Sequence, residues 1–305
     1  MLINRQWKIG VGALIGLMAL PAWVAAQVAI TLTLPFTRAL LYEDVVATVA
    51  IQNNSGRMLT IGAGQGPARF WLDVERDGGR IVSRRDAAPL VSDMRVMPGE
   101  VLKFELNVPR LYAMRNKGLY KMRAGVEMNG AHYVSPEMAL EVVGGFEFQR
   151  MTAGIPGDLQ AVRTYILYYL PKDGVEYIYL RIEDADKTLY GLFNLGRVIR
   201  VRPAEFKLDE SGNVHVLFQT MGMGFVHTAF TPFGVQLFAR TYTGARGRAS
   251  LAQQPNGQIT VPGGVETALP TAATPEDKAA LDKAKKKAGT GGMLGQWLQP
   301  ADKKP

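Results

Sequence analysis

Tyr120-Lys121-Met122-Arg123-Ala124-Gly125-Val126-Glu127-Met128, followed by Asn129-Gly130, decides the fold of this 305-residue chain. Tyr120, Met122, Ala124, Val126 and Met128 share one parity, while Lys121, Arg123 and Glu127 hold the other. An extended backbone therefore turns an apolar row to one side and a charged row to the other. Asn129-Gly130 then reads as a two-residue hairpin turn, since Asn and Gly both tolerate positive φ. The stretch predicts a strand with one face on a core.

The same period recurs on both sides of it. Val45, Ala47, Val49 and Ile51 share a face. Phe70, Leu72 and Val74 point inward, with Trp71, Asp73 and Glu75 outward, before the turn Asp77-Gly78-Gly79. Leu102, Phe104, Leu106 and Val108 follow the turn Pro98-Gly99. From Val28 to Val143 no convincing 3.6-residue period interrupts the alternation. Short strands separated by regularly spaced turns predict a β-sandwich.

Three phrases carry a resemblance. A Val-rich strand runs into Asn53-Asn54-Ser55-Gly56, Met97-Pro98-Gly99-Glu100 leads a Leu/Phe strand, and Gly118-Leu119-Tyr120 begins a late one. Over about residues 28–144 this succession resembles bacterial Ig-like or fibronectin-type accessory modules. The resemblance implies a fold and no activity, and the Cys-Trp-Cys signature of true immunoglobulin domains is missing.

Beyond the hinge-like Gly144-Gly145 the strands become richer in aromatics. Tyr165–Leu170 and Val175–Ile182 flank Pro171-Lys172-Asp173-Gly174, read as a hairpin loop. A strand, turn and strand phrase then recurs around Gly212, Gly234 and Gly257, spaced 22 and 23 residues apart, which suits a meander of hairpins. The phrase from Asp209 to Phe218 resembles the blade hairpins of β-propeller and sialidase-like repeats, although residues 146–265 are too few for a closed propeller.

The expected class is all-β: a signal peptide at 1–26, an Ig-like β-sandwich at 27–144, a second antiparallel β domain of consecutive hairpins at 145–265, and a low-complexity, disordered tail at 266–305. The leading segment has Arg5 and Lys8, an apolar run from Ile9 to Val24, and the small-residue site Val24-Ala25-Ala26. That pattern predicts export to the periplasm or exterior, with no transmembrane segment after cleavage. The sequence has no cysteine, which excludes disulfides and a lipidated cysteine, so hydrophobic burial must hold the fold. The formal net charge of +8 is spread along the chain, and no nucleic-acid partner is expected.

Few constellations suggest chemistry. There is no cysteine nucleophile and no G-x-S-x-G elbow. Asp184, Glu205 and Asp209 are carboxylates that spacing alone cannot pair, and Glu183-Asp184-Ala185-Asp186 is an acidic run without the full calcium-loop pattern. His215 and His227 lie on neighbouring strand segments and form an alternative site. His215 alternates with Val214 and Val216, which assigns it to a second sheet face with Leu217 and Gln219. Tyr177, Tyr179 and Arg181 form a stripe opposite Ile178, Leu180 and Ile182, and that stripe is the expected ligand surface. No metal or cofactor is expected. The leading expectation is a non-enzymatic envelope binding or scaffolding protein that recognises a protein or glycan through a β-sheet surface. The alternative is a hydrolase or lyase acting on an extracellular polymer.

Overall fold

The computed structural model describes residues 27–62, 68–244 and 248–267. The expected signal peptide and the tail from residue 268 onward lie outside the described residues. In chain order the first region contains β1 (Val28–Thr33), β2 (Arg38–Leu40), β3 (Val46–Asn53), β4 (Leu59–Gly62), β5 (Ala68–Arg76), β6 (Arg80–Ile81), β7 (Met94–Val96) and β8 (Val101–Asn107). The helical turn α1 (Val108–Leu111) follows, then β9 (Gly118–Met128), β10 (Ala131–Val134) and β11 (Met138–Val143).

Strands β1, β3 and β8 make one sheet. The larger sheet runs β2-β11-β9-β5-β4-β7, with β10 and β6 attached to β9 and β5. Pairing is antiparallel except for β2 with β11 and β4 with β5, which are parallel. The facing rows are those the alternation assigns: Ala47, Val49 and Ile51 from one sheet, and Phe70, Leu72, Val74, Tyr120, Met122, Ala124 and Val126 from the other, enter one buried cluster. Phe70 meets Phe104 edge to face at 5.2 Å. Asn129 and Gly130 adopt φ of +51° and +77°, which lets Met128 pair directly with Ala131 in the manner of a type I′ hairpin.

The second region begins with β12 (Phe146–Ile155), β13 (Asp158–Lys172), β14 (Val175–Asp184) and β15 (Leu189–Arg197), an antiparallel meander. It continues with β16 (Glu205–Leu208), β17 (Val214–Met221), β18 (Gly224–Phe230), β19 (Gln236–Gly244), β20 (Ala252–Gln253), β21 (Ile259–Thr260) and β22 (Gly264–Thr267). The β16-β17-β18-β19-β22 sheet stacks on the meander: Val214, Val216, Phe218 and Phe230 meet Tyr165, Leu167, Ile178, Leu180 and Ile182 in a second core.

The three glycine-centred repeats are the same turn. Asp209, Thr231 and Gln254 each donate their backbone N–H to the residue four positions on, and each accepts the N–H of Gly212, Gly234 or Gly257. The glycines carry φ of +77°, +80° and +76°, a region where a Cβ is disfavoured. The third hairpin, β20 with β21, leaves the sheet and packs with Leu217 and Phe225 on its outer face.

Two boundaries differ from expectation. Pro171 and Lys172 belong to β13, paired with Glu176 and Val175, because Asp173 and Gly174 at positive φ close the hairpin without them. Glu266 and Thr267, expected in the tail, pair with Tyr242 and Thr241 along the edge of β19, where unpaired strand groups are available to them.

Candidate functional site

The tyrosine stripe faces the first region rather than solvent. Tyr179 is fully buried and clusters with Leu40 and Leu170, while Tyr177, Tyr168, Val143 and Leu192 pack partly buried around them. Its hydroxyl donates to Glu43 Oε1 at 2.9 Å and accepts from Asn194 Nδ2 at 3.2 Å. Lys172 Nζ donates to the same Glu43 oxygen at 2.5 Å and lies 3.5 Å from the Phe36 ring centroid. The other Glu43 oxygen accepts the Leu40 N–H at 2.8 Å.

Tyr42 holds φ of +75°, a rare conformation for a large side chain, in the turn that brings Glu43 under the strand. Burial pulls the Lys172 ammonium below its ordinary value while Glu43 opposes that shift, and burial followed by the Glu43 charge raises the Tyr179 phenol. Tyr179 is therefore a seam residue and not an open contact. Period-two reading assigned its face correctly but carries no information on what covers that face. Arg181 sits at the margin, held by Glu183 at 2.6 Å, with Tyr42 at 5.5 Å.

The two histidines do meet. His215 Nδ1 lies 2.9 Å from His227 Nε2, and His215 Nε2 lies 3.3 Å from Asp209 Oδ2. Asn213 donates to both Asp209 oxygens, from N at 2.8 Å and from Nδ2 at 2.9 Å. Burial pushes the Asp209 carboxyl up, yet the Asn213 and His215 hydrogen bonds outweigh it and the net direction is down. An ionised Asp209 accepts His215 Nε2–H, which makes His215 Nδ1 an acceptor and assigns the remaining proton to His227 Nε2.

Burial lowers His215, against the pull of Asp209. Burial, reinforced by His215 and Arg240, lowers His227 to about 4. The rings are 6% and 3% exposed, too enclosed for a substrate to reach as they stand. Phe238 packs against both, and the 249–261 segment covers neighbouring Leu217 and Phe225. Among the described residues no group of three or more His, Cys, Asp or Glu is arranged to hold a metal ion.

The remaining carboxylate candidates are occupied. Asp184 Oδ1 caps the Thr188 N–H at 2.8 Å, Glu205 Oε2 accepts the Leu251 N–H at 2.6 Å, and Glu183 pairs with Arg181.

A further concave feature, outside the residues that the sequence reading names as sites, lies on the outer face of the first region. Trp71 stands opposite Gly125 on the neighbouring strand. A Cβ on Gly125 would come within 2.1 Å of Trp71 Cζ2, so the indole lies across the bare glycine. Between this ring and the excursion at residues 84–91 is a cleft of about 270 Å³ that also includes Arg69, Asp73 and Arg84 among its walls.

The excursion is pinned by Ala113 N to Ser83 O at 3.0 Å and by Arg85 N to Leu111 O at 2.9 Å; Arg84 bridges Tyr112, whose hydroxyl in turn donates to Leu72 O of β5. Arg84 Nε–H is buried with no acceptor, and Arg69 has no ion pair among the described residues. Burial and neighbouring Glu75 raise the Asp73 carboxyl, with Arg123 opposing. The sequence signal was present: Trp71 is an outward-parity aromatic flanked by Arg69 and Asp73, across from a strand glycine.

No family model matches the chain, and no curated protein matches it. Among solved structures it is similar to Spo0M, a sporulation control protein from Bacillus subtilis, at 11% identity and a TM-score of 0.26, over 56% of this chain and 90% of that one.

Proposed function

We propose that the protein is an exported, non-enzymatic binding or scaffolding protein of the cell envelope, which holds a protein or glycan partner on the outer face of its first, Ig-like β-sandwich. The observation that carries this reading is the Trp71 cleft, where a rigid aromatic wall meets both donors and an acceptor in a concavity. Large rings at low conformational cost, ringed by a few oriented polar groups, are what recognition surfaces use. The basic, apolar leading segment supports export.

Capture of partners from an envelope extract on the immobilised protein tests this. Trp71→Ala is expected to abolish capture of a saturable partner while near-ultraviolet dichroism stays native-like. Equal capture by Trp71→Ala would sink the assignment.

The hydrogen-bonded chain Asp209, His215 and His227 favours a second reading, a hydrolase or lyase on an envelope polymer, because a carboxylate that orients an imidazole is a general-base arrangement. It requires Phe238 and Tyr242, which pack on the rings, to move aside. Polymer turnover that His215→Ala removes would establish it.

A further inference from the structure

The cleft between the outer face of β5 and the residue 84–91 excursion has a chemistry specific enough to name a ligand. We propose that it binds one neutral pyranose ring of a glycan, stacked on Trp71 and hydrogen-bonded by Asp73, Arg84 and Arg69; this rests on the binding reading given above.

Three observations converge on that class. The first is shape. One indole face lies on Gly125, and Trp71 remains only partly covered and lines the cleft. A flat aromatic wall suits the C–H face of a sugar ring, which offers an apolar plane with hydroxyls around its rim.

The second is the mixture of polar groups. Arg69 and Arg84 offer only donors, and ionised Asp73 offers only acceptors. A hydroxyl donates and accepts at once and so satisfies both kinds. A carboxylate or phosphate would pair with the guanidinium groups but face Asp73 with like charge. Arg84 is anchored beside the cleft, its Nη2 donating to Ala88 O and pairing with Asp86 at 3.6 Å, which holds the guanidinium in the cleft wall.

The third is size. About 270 Å³ falls just below the range of roughly 300–1,000 Å³ in which drug-sized ligands are enclosed. The cleft accommodates one ring and not a length of chain, and further sugars would extend over the exposed outer sheet.

The test is titration of the whole protein with methyl glucopyranoside, methyl galactopyranoside, methyl mannopyranoside and N-acetylglucosamine, with glucuronate as the anionic comparator. Binding is read on the Trp71 indole N–H resonance, which Trp71→Phe assigns. At least one neutral sugar is expected to bind saturably with a millimolar Kd. Asp73→Asn and Arg84→Lys are each expected to weaken it roughly tenfold, the loss of about one charge-assisted hydrogen bond. Both positions are partly exposed, so the fold should tolerate them, and unchanged thermal melting would verify that.

Tighter binding of glucuronate than of every neutral sugar overturns the ligand class. So does the absence of any saturable shift. If sugars leave the indole unmoved while capture from envelope extract still requires Trp71, the glycan proposal fails and the binding reading survives with a protein in the cleft. If capture ignores Trp71, the binding reading fails too.

Discussion

The protein buries two polar clusters that are built in opposite ways. Glu43, Lys172 and Tyr179 come from positions 129 and 136 residues apart and join unlike charges where the two regions meet. Asp209, His215 and His227 lie 6 and 12 residues apart on one hairpin series, with both imidazoles held towards neutrality. The contrast teaches how burial is tolerated. The Lys172 charge, brought in over a long range, keeps its counter-ion, whereas the local cluster leaves both imidazoles neutral and holds its one carboxylate, Asp209, on hydrogen bonds from Asn213 and His215.

Breaking the first cluster should have the largest effect. Glu43→Ala leaves the Lys172 ammonium at 2% side-chain exposure without its carboxylate, at an expected cost of about 3–5 kcal/mol in urea unfolding. Glu43→Leu combined with Lys172→Met removes both charges and should recover most of that loss. A double variant no more stable than Glu43→Ala would show that Glu43 acts through its bonds to Tyr179 and Leu40 rather than through charge. Tyr177→Ala with Tyr179→Ala should also destabilise, since Tyr179 fills the seam.

The second cluster should reveal itself only in acid. Unfolded, His227 takes up a proton near 6.5; folded, it does so near 4. The unfolded state therefore binds more protons across that window, and stability falls as pH drops from about 6.5 towards 4. The amount is on the order of 3 kcal/mol at 1.36 kcal/mol per unit. His227→Phe should flatten this slope in a series of urea midpoints at different pH. A slope equal to that of the parent protein would mean that the pair does not govern the acid response, and Glu43→Leu with Lys172→Met should leave it untouched.

The two clusters also differ in how legible they were. Parity placed His215 with Leu217 and Gln219 and placed Tyr177 with Tyr179 and Arg181, because the strand period fixes faces from sequence. It could not bring Glu43 to Lys172. That contact depends on a positive-φ Tyr42 and on packing between regions, neither of which alternation encodes. The repeated turns were readable for the opposite reason: each sets its own hydrogen bonds within five residues. The Trp71 cleft lay between these cases, its aromatic visible in sequence and its roof, residues 84–91, visible only once the chain is folded.

Gly125→Ala tests that intermediate case. A methyl at 2.1 Å from the Trp71 ring must lift the indole, which is expected to cost about 1–3 kcal/mol and to shift the Trp71 fluorescence maximum. An unshifted maximum would mean that the ring does not rest on the glycine.

The smallest expected effect joins the turn repeat to the histidine cluster. All three turn glycines have positive φ, so alanine at any of them carries a conformational cost of about 1 kcal/mol. Their surroundings then separate them. At Gly234 a Cβ meets the Tyr190 carbonyl oxygen at 2.6 Å, a backbone atom that cannot step aside, whereas at Gly257 it meets the end of the Glu210 side chain at 2.1 Å, an exposed group free to swing away. Gly257→Ala should therefore be the milder substitution in thermal melting. Its turn leans on Glu210, beside Asp209, so loosening it should admit water to His215 and raise the imidazole pKa towards 6.5, as read by NMR. If Gly257→Ala destabilises as much as Gly234→Ala, the third hairpin is a rigid part of the core and the histidines stay sealed. If it is mild and the imidazole pKa rises, the hairpin is a separable cover, and the second cluster differs from the first in being one local opening away from solvent.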